Sequence, residues 1–233
     1  MTSLSQPPHY EAYRKSFPNL PIDRVIDASW EMLGFFTAHP PRLFEYPWML
    51  ETMEKLGCTS VADFGAGVSP IPFLLSETGM TVFTVDLSDS IVEVKPGSKL
   101  SEWGFLDYAM IDDRITSFNE SFEKVDFSQP LDAVYSISVI EHVPARIRRR
   151  IFAHVGMLLP VGGHFVATLD LKPGTLDLWN FDRRMIVDKV DHGTLHDLIR
   201  ELEAQRLKIT GLQIQPGLPG SGTDVAALIC RMT

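Results

Sequence analysis

The chain has 233 residues, a hydrophobic share of 45%, a net charge of -9 and only two cysteines, Cys58 and Cys230. With a mean hydropathy of +0.03 this is the profile of a globular protein with one main domain and room for a well-buried core. The acidic balance argues against nucleic acid as the main partner, because a phosphate backbone is held largely by Lys and Arg. No apolar run approaches a membrane span, and the polar start Met1 to Pro8 lacks the layout of a signal peptide, so a cytoplasmic protein with no membrane partner is expected. The two cysteines lie far apart and read as small buried thiols.

Residues 1–57 read as an N-terminal arm and helical cap. Pro7, Pro8, Pro18 and Pro21 point to a loose arm with a short helix near Tyr10 to Ser16. From Asp23, a suitable N-cap, Ile26, Trp30 and Leu33 recur at helical spacing, and this helix is expected to stop before His39-Pro40-Pro41. A second helix is expected to start near Pro47, carry Trp48, Leu50, Met53 and Leu56, and end at Gly57. That leaves Arg42-Leu43-Phe44-Glu45-Tyr46 as a linker.

The next stretch organises the rest. Val61-Ala62-Asp63-Phe64 is an apolar strand that runs into Gly65-Ala66-Gly67, then a short apolar helix, then a second strand, Thr81 to Val85, closed by Asp86. A chain leaving a buried strand for a helix needs glycine at the turn, and an acid ending the neighbouring strand can accept hydrogen bonds from ribose hydroxyls. Nucleoside binding follows. A dinucleotide fingerprint would place a third small residue where Pro70 stands, and proline removes an amide that would otherwise face a pyrophosphate. Asp63 adds a second acid at the turn, which suits a cationic ligand end. S-adenosylmethionine, with its sulfonium, ammonium and ribose and no phosphate, meets these conditions.

Beyond Asp86, residues 88–113 resist assignment, apart from a turn at Pro96-Gly97. Arg114 to Asn119 is expected to be a third strand and Leu131 to Val139, rich in Val and Ile, a strand buried on both faces. Ile147, Ile151, Val155 and Leu158 mark the inward stripe of a helix, and the basic run around Arg148 reads as its solvated face. His164 to Leu171 is the next strand. Leu195, Leu198, Ile199 and Leu202 mark a further helix, and Leu207 to Ile214 with Asp224 to Arg231 form a closing hairpin. His192 and His196, one helical turn apart, have no further ligand in register and read as surface histidines, so no metal is expected.

Taken in order, Asp63-Phe64-Gly65-Ala66-Gly67, Val85-Asp86-Leu87, the run Ala133 to Val143 with Glu141-His142, and Leu158 to Val166 with Gly162-Gly163 resemble the motif set of the class I S-adenosylmethionine-dependent methyltransferases. The resemblance implies an α/β fold: a Rossmann-like seven-stranded sheet with a terminal antiparallel hairpin and the N-terminal helical cap, residues 58–233 forming the cofactor domain. It also implies S-adenosyl-L-methionine as cofactor and a small-molecule acceptor, such as a sugar or polysaccharide precursor or a secondary metabolite. In this family, Asp63, Gly65, Ala66 and Gly67 would contact the amino-acid end of the cofactor and Asp86 the ribose. Leu87, Ser121 and Phe122 would frame the adenine, although Ser121 stands where the family often has an acid, and Ser138 would line the same site.

His142 is the candidate catalytic base, with a structural turn as the alternative role of Glu141-His142. Ser138 stands where a metal-binding variant of the motif has a glutamate. The cap either covers the cofactor or only one sheet face, and Leu178 to Arg184 either binds the acceptor or merely connects elements. An NAD-dependent oxidoreductase, disfavoured by Pro70 and the closing hairpin, and a non-catalytic S-adenosylmethionine-binding protein remain as alternative functions.

Overall fold

The structure, a computed structural model, describes residues 6–93, 102–179 and 192–233. The N-terminal helices are α1, Tyr10–Ser16, α2, Ile22–Leu33, and α3, Arg42–Leu56. The arm is not loose from α1 onward, because Tyr10 and Tyr13 are buried in the core. Asp23 lies in the first turn of α2, and Pro21 takes the N-cap place. The larger correction concerns α3. It begins five residues before Pro47, at Arg42, so the expected linker is its first turn and Pro47 sits inside the helix. Pro41 already has helical φ and ψ of -52° and -28°, which starts the helix early, and a proline this near the N-terminus forfeits little hydrogen bonding.

The strands are β1, Ser60–Phe64, β2, Thr81–Val85, the short β3, Ile91–Val92, and β4, Phe105–Leu106. They continue with β5, Ile115–Phe118, β6, Ala133–Ile137, β7, His164–Leu171, β8, Leu207–Gln215, and β9, Asp224–Met232. The further α-helices among the described residues are α4, Ile71–Glu77, α5, Ala145–Leu158, and α6, Leu195–Glu203. Seven strands form one sheet in the order β5-β2-β1-β6-β7-β9-β8, while β3 and β4 pair separately. From β5 to β7 neighbours are parallel, and β9 enters antiparallel to both β7 and β8. The expected sheet and closing hairpin are therefore present.

Parallel strands need both faces covered. One face carries α1, α2, α3 and α4, whose Tyr13, Leu33, Phe44, Met49 and Leu74 share a core with Val61, Val82 and Tyr135. The other carries α5 and α6, through Phe152, Val155, Leu198 and Leu202 against Val134, Phe165 and Leu228. Cys58 and Cys230 are free and buried, as expected. Among the described residues no helix is long and apolar enough to cross a membrane.

Two details depart from the sequence reading. Arg148, inside the basic run, is fully buried, with its guanidinium donating to Glu201 at 2.6 Å and to the His192 carbonyl at 3.0 Å. His192 is likewise buried, its Nδ1 2.9 Å from the Glu141 carbonyl oxygen, whereas His196 is exposed. Ion pairing of residues distant in sequence overrides the helical stripe at this point.

Candidate functional site

The register places Phe64, Val85 and Ile137 at the carboxyl ends of adjacent strands, where open parallel sheets hold ligands. A cavity of about 540 Å³ opens there. Asp63, Gly65, Ala66, Gly67, Asp86, Leu87, Ser121, Phe122, Ser138 and His142 all line it. The structure thus gathers the residues expected to hold the cofactor, together with His142, around one space.

The glycine turn is fixed by the main chain. Gly65 and Gly67 have φ of 75° and 51°, in the left-handed region. A Cβ on Gly65 would meet the Val139 side chain at 2.7 Å, and one on Gly67 would meet the Glu102 carbonyl oxygen at 2.6 Å. The amides of this turn are all engaged. Those of Gly65 and Ala66 donate to the Val85 carbonyl, Gly67 to Asp86 Oδ2 at 2.9 Å, Val68 to the Glu102 carbonyl, and Ser69 to the Tyr108 hydroxyl at 2.8 Å. Pro70 and Pro72 have none to offer. The amides of residues 65–69 are therefore not free to cradle a pyrophosphate.

What the turn offers instead is carboxylate. Asp63 is 2% exposed and its Oδ1 has no hydrogen-bond partner. Burial pushes its carboxyl well above the usual range; the nearby Tyr135 hydroxyl offsets this in part without completing a hydrogen bond, and the Asp86 carboxylate adds to it. A cation in the cavity would relieve this strain on the charged form. Asp86, half-buried, accepts from Gly67 and, through Oδ1, from the Ser88 amide at 2.8 Å, which fixes the carboxylate at the cavity wall. Leu87 is 67% exposed, while Phe122 is buried edge-on against Phe64 at 5.1 Å between ring centroids.

The cap supplies the other end. Arg42 and Tyr46 of α3 line the cavity, as do Glu102 and Trp103. Arg42 is buried; its Nη1 donates to Glu45 and its Nε to Glu102 at 3.0 Å. Burial opposes ionisation of Glu45, yet Arg42 and the Ser138 hydroxyl, which donates to it, outweigh burial and hold its carboxyl below the ordinary range. Ser138 itself has a φ of 49°, uncommon for a residue with a side chain. Its hydroxyl proton is therefore directed to Glu45 and not into the cavity.

Beneath these residues lies a second pair of acids. Glu141 accepts from the Asp170 amide at 2.8 Å, and Asp170 accepts from the Thr223 hydroxyl at 3.0 Å. Burial, with Asp170 beside it, raises Glu141 well above its ordinary range; burial and Glu45 push Asp170 up to about 7. Neither lines the cavity. Glu141 is thus a structural residue of the turn, while its neighbour His142 lines the cavity, its Nδ1 buried and without a hydrogen-bond partner. Burial first, then Arg42, His192 and His39, lower His142 to about 4, so it is neutral near pH 7.

The sequence reading missed Glu102 and Trp103, which fall in the stretch it left unassigned, and took Arg42 and Tyr46 for linker residues. No local pattern marks them, because their role depends on contacts across 60 residues in the Arg42–Glu102 pair and 93 in the Ser138–Glu45 pair. In the loop expected after β7, Leu178 is buried and Trp179 half-buried, while residues 180–184 lie outside the described residues.

No protein-family model matches the sequence, and no curated protein matches it. Solved structures do. The chain, over 100% of its length, aligns with 93% of the 1,6-didemethyltoxoflavin-N1-methyltransferase of Burkholderia thailandensis, solved with 1,6-didemethyltoxoflavin and S-adenosylhomocysteine, at a TM-score of 0.59 and 19% identity. It also aligns over 79% of its length with 87% of the glycopeptide N-methyltransferase MtfA complexed with S-adenosylmethionine, at a TM-score of 0.54 and 16% identity. An O-methyltransferase family protein from Burkholderia thailandensis gives a TM-score of 0.50 at 13% identity, over 79% of this chain and 55% of that one. The strand order, the closing hairpin and these neighbours agree: the chain has the fold of the class I S-adenosylmethionine-dependent methyltransferases.

Proposed function

We propose that the protein is an S-adenosylmethionine-dependent methyltransferase of a small molecule, with residues 58–233 holding the cofactor and residues 1–57 capping it. The observation that carries this reading is the glycine turn, whose amides are all engaged within the chain and which presents two carboxylates, Asp63 and Asp86, to the cavity. That donor set fits a nucleoside with a cationic tail and no phosphate. Asp63 and the backbone of Gly65, Ala66 and Gly67 would hold the amino-acid end, Asp86 the ribose, and Leu87, Ser121 and Phe122 the adenine, with Ser138 at the floor. The structural neighbour solved with bound 1,6-didemethyltoxoflavin supports a small-molecule acceptor such as a secondary metabolite.

Bound there, S-adenosylmethionine supplies a methyl group on a positively charged sulfur, which keeps the bonding electron pair as the acceptor lone pair takes the methyl. The chain's own contribution is mainly alignment and exclusion of water. Tyr46, Arg42 and Trp103 close the cap side of the cavity. His142, neutral near pH 7 and lining the cavity, is the residue placed to take the proton that the acceptor oxygen or nitrogen loses.

Incubation with methyl-labelled S-adenosylmethionine and a panel of small phenols, amines and sugars tests this reading. Label is expected in a small molecule, and His142→Gln is expected to lower turnover by about a hundredfold while cofactor affinity persists. Tight cofactor binding with no transfer to any member of the panel would favour the non-catalytic binding protein instead.

A further inference from the structure

Of the described residues that line the cavity, Arg42 is the one cation, whereas Asp63, Asp86, Glu102, Glu120 and Glu123 are acids. Among the described residues lining it, that guanidinium is the one cation with which an anionic acceptor could pair. It is already held from two sides: Glu45 and Glu102 both pair with it, and it lies 5.6 Å from the centre of the Tyr46 ring. With Arg42 and Glu45 both buried and Glu102 nearly so, an incoming carboxylate or phosphate would meet two like charges around a saturated cation. Leaving such a charge unpaired away from water is costly. The surfaces that remain at this end are flat and weakly polar: the buried Tyr46 ring, the Trp103 indole, more than half exposed at the mouth, and Pro144 beside His142.

We propose that the acceptor end of this cavity takes an aromatic molecule carrying no anionic group, and that Glu102 sets this preference by closing Arg42. The inference rests on the methyltransferase reading above and narrows its acceptor class. Flat rings at the wall give an aromatic acceptor contact area at low entropic cost. Arg42 positions Glu45, which in turn receives the Ser138 hydroxyl, so the same closed network that repels anions also fixes the floor beneath His142.

The test uses the full chain loaded with S-adenosylhomocysteine, titrated at pH 7 with two probes that share one ring system, 2-naphthol, which is neutral, and 2-naphthoate, which is anionic. The wild type is expected to bind naphthol at least about tenfold more tightly than naphthoate, the scale of one charged interaction. Glu102→Gln, which leaves Arg42 with one partner, is expected to narrow that preference by about tenfold or to reverse it. Glu102→Asp is expected to retain it. S-adenosylhomocysteine binding, measured before any probe is added, reports that each variant is folded.

Naphthoate binding to the wild type as tightly as naphthol, no binding of either probe, or a preference untouched by Glu102→Gln would overturn the proposal. The wild-type comparison stands without any variant. Failure to bind S-adenosylhomocysteine is a different result, seen first, and it counts against the methyltransferase reading itself.

Discussion

At the glycine end of the cavity the wall is shaped by main-chain amides of the turn, received by the Val85 and Glu102 carbonyls and by the Asp86 and Tyr108 side chains. At the cap end they come from buried charged side chains, Arg42, Glu45 and Glu102, supplied by elements far apart in the chain. The first arrangement depends on backbone conformation, so it tolerates many side chains but not a misplaced Cβ. The second depends on charge balance, so it tolerates backbone variation but not the loss of one partner. A cofactor common to many reactions suits the former, and an acceptor particular to one reaction suits the latter.

The sharpest way to break the contrast is Arg42→Met. It leaves Glu45 buried without its cation and is expected to cost about 3–5 kcal/mol of unfolding free energy, read by urea denaturation. Pairing it with Glu45→Gln removes the stranded charge and should recover most of the loss. If the single variant is as stable as the wild type, the cap end is not held by charge. Gly67→Ala attacks the other end: a side chain at φ 51°, 2.6 Å from the Glu102 carbonyl oxygen, is expected to cost about 2–3 kcal/mol and to loosen cofactor binding. An equal Tm in that variant would mean that the turn is not sterically fixed.

A smaller effect distinguishes the ends by pH. Asp170, raised to about 7 by burial and Glu45, faces Arg42, Thr223, Glu141 and Glu102 as well. Its folded pKa lies above the unfolded value of about 4, so its contribution is fully present below about pH 4 and is lost as pH rises through about 7. His142 acts in the opposite sense: lowered to about 4 from an unfolded value near 6.5, it withdraws stability as pH falls through that window. Asp170→Asn should therefore flatten the decline of stability between about pH 4 and 7, measured by thermal melts. An unchanged slope would remove Asp170 from the titrating groups.

The same contrast explains what the sequence made legible. Val61 to Gly67 and Thr81 to Asp86 are contiguous stretches whose strand and turn character is local, and every residue chosen from them lines the cavity. The hairpin was equally plain, since Leu207–Gln215 and Asp224–Met232 alternate or stay apolar over nine residues each. The start of α3 was not, because Pro47 looks like a first-turn residue and only the packed structure shows Arg42 and Glu45 facing a partner on another segment. Arg148 and His192 misled for a related reason. Each is polar by type and buried by pairing, and the pairing partners lie 53 residues away for Arg148 and 51 for His192.

The central claim is that the glycine turn and Asp86 hold a phosphate-free adenosyl cofactor. Titration calorimetry of the wild type and of Asp86→Ala with S-adenosylhomocysteine and with NAD tests it most directly. The account predicts micromolar binding of S-adenosylhomocysteine, weakened by about tenfold to a hundredfold in the variant, and no heat with NAD. Binding of NAD alone, or S-adenosylhomocysteine binding that ignores Asp86, would contradict it.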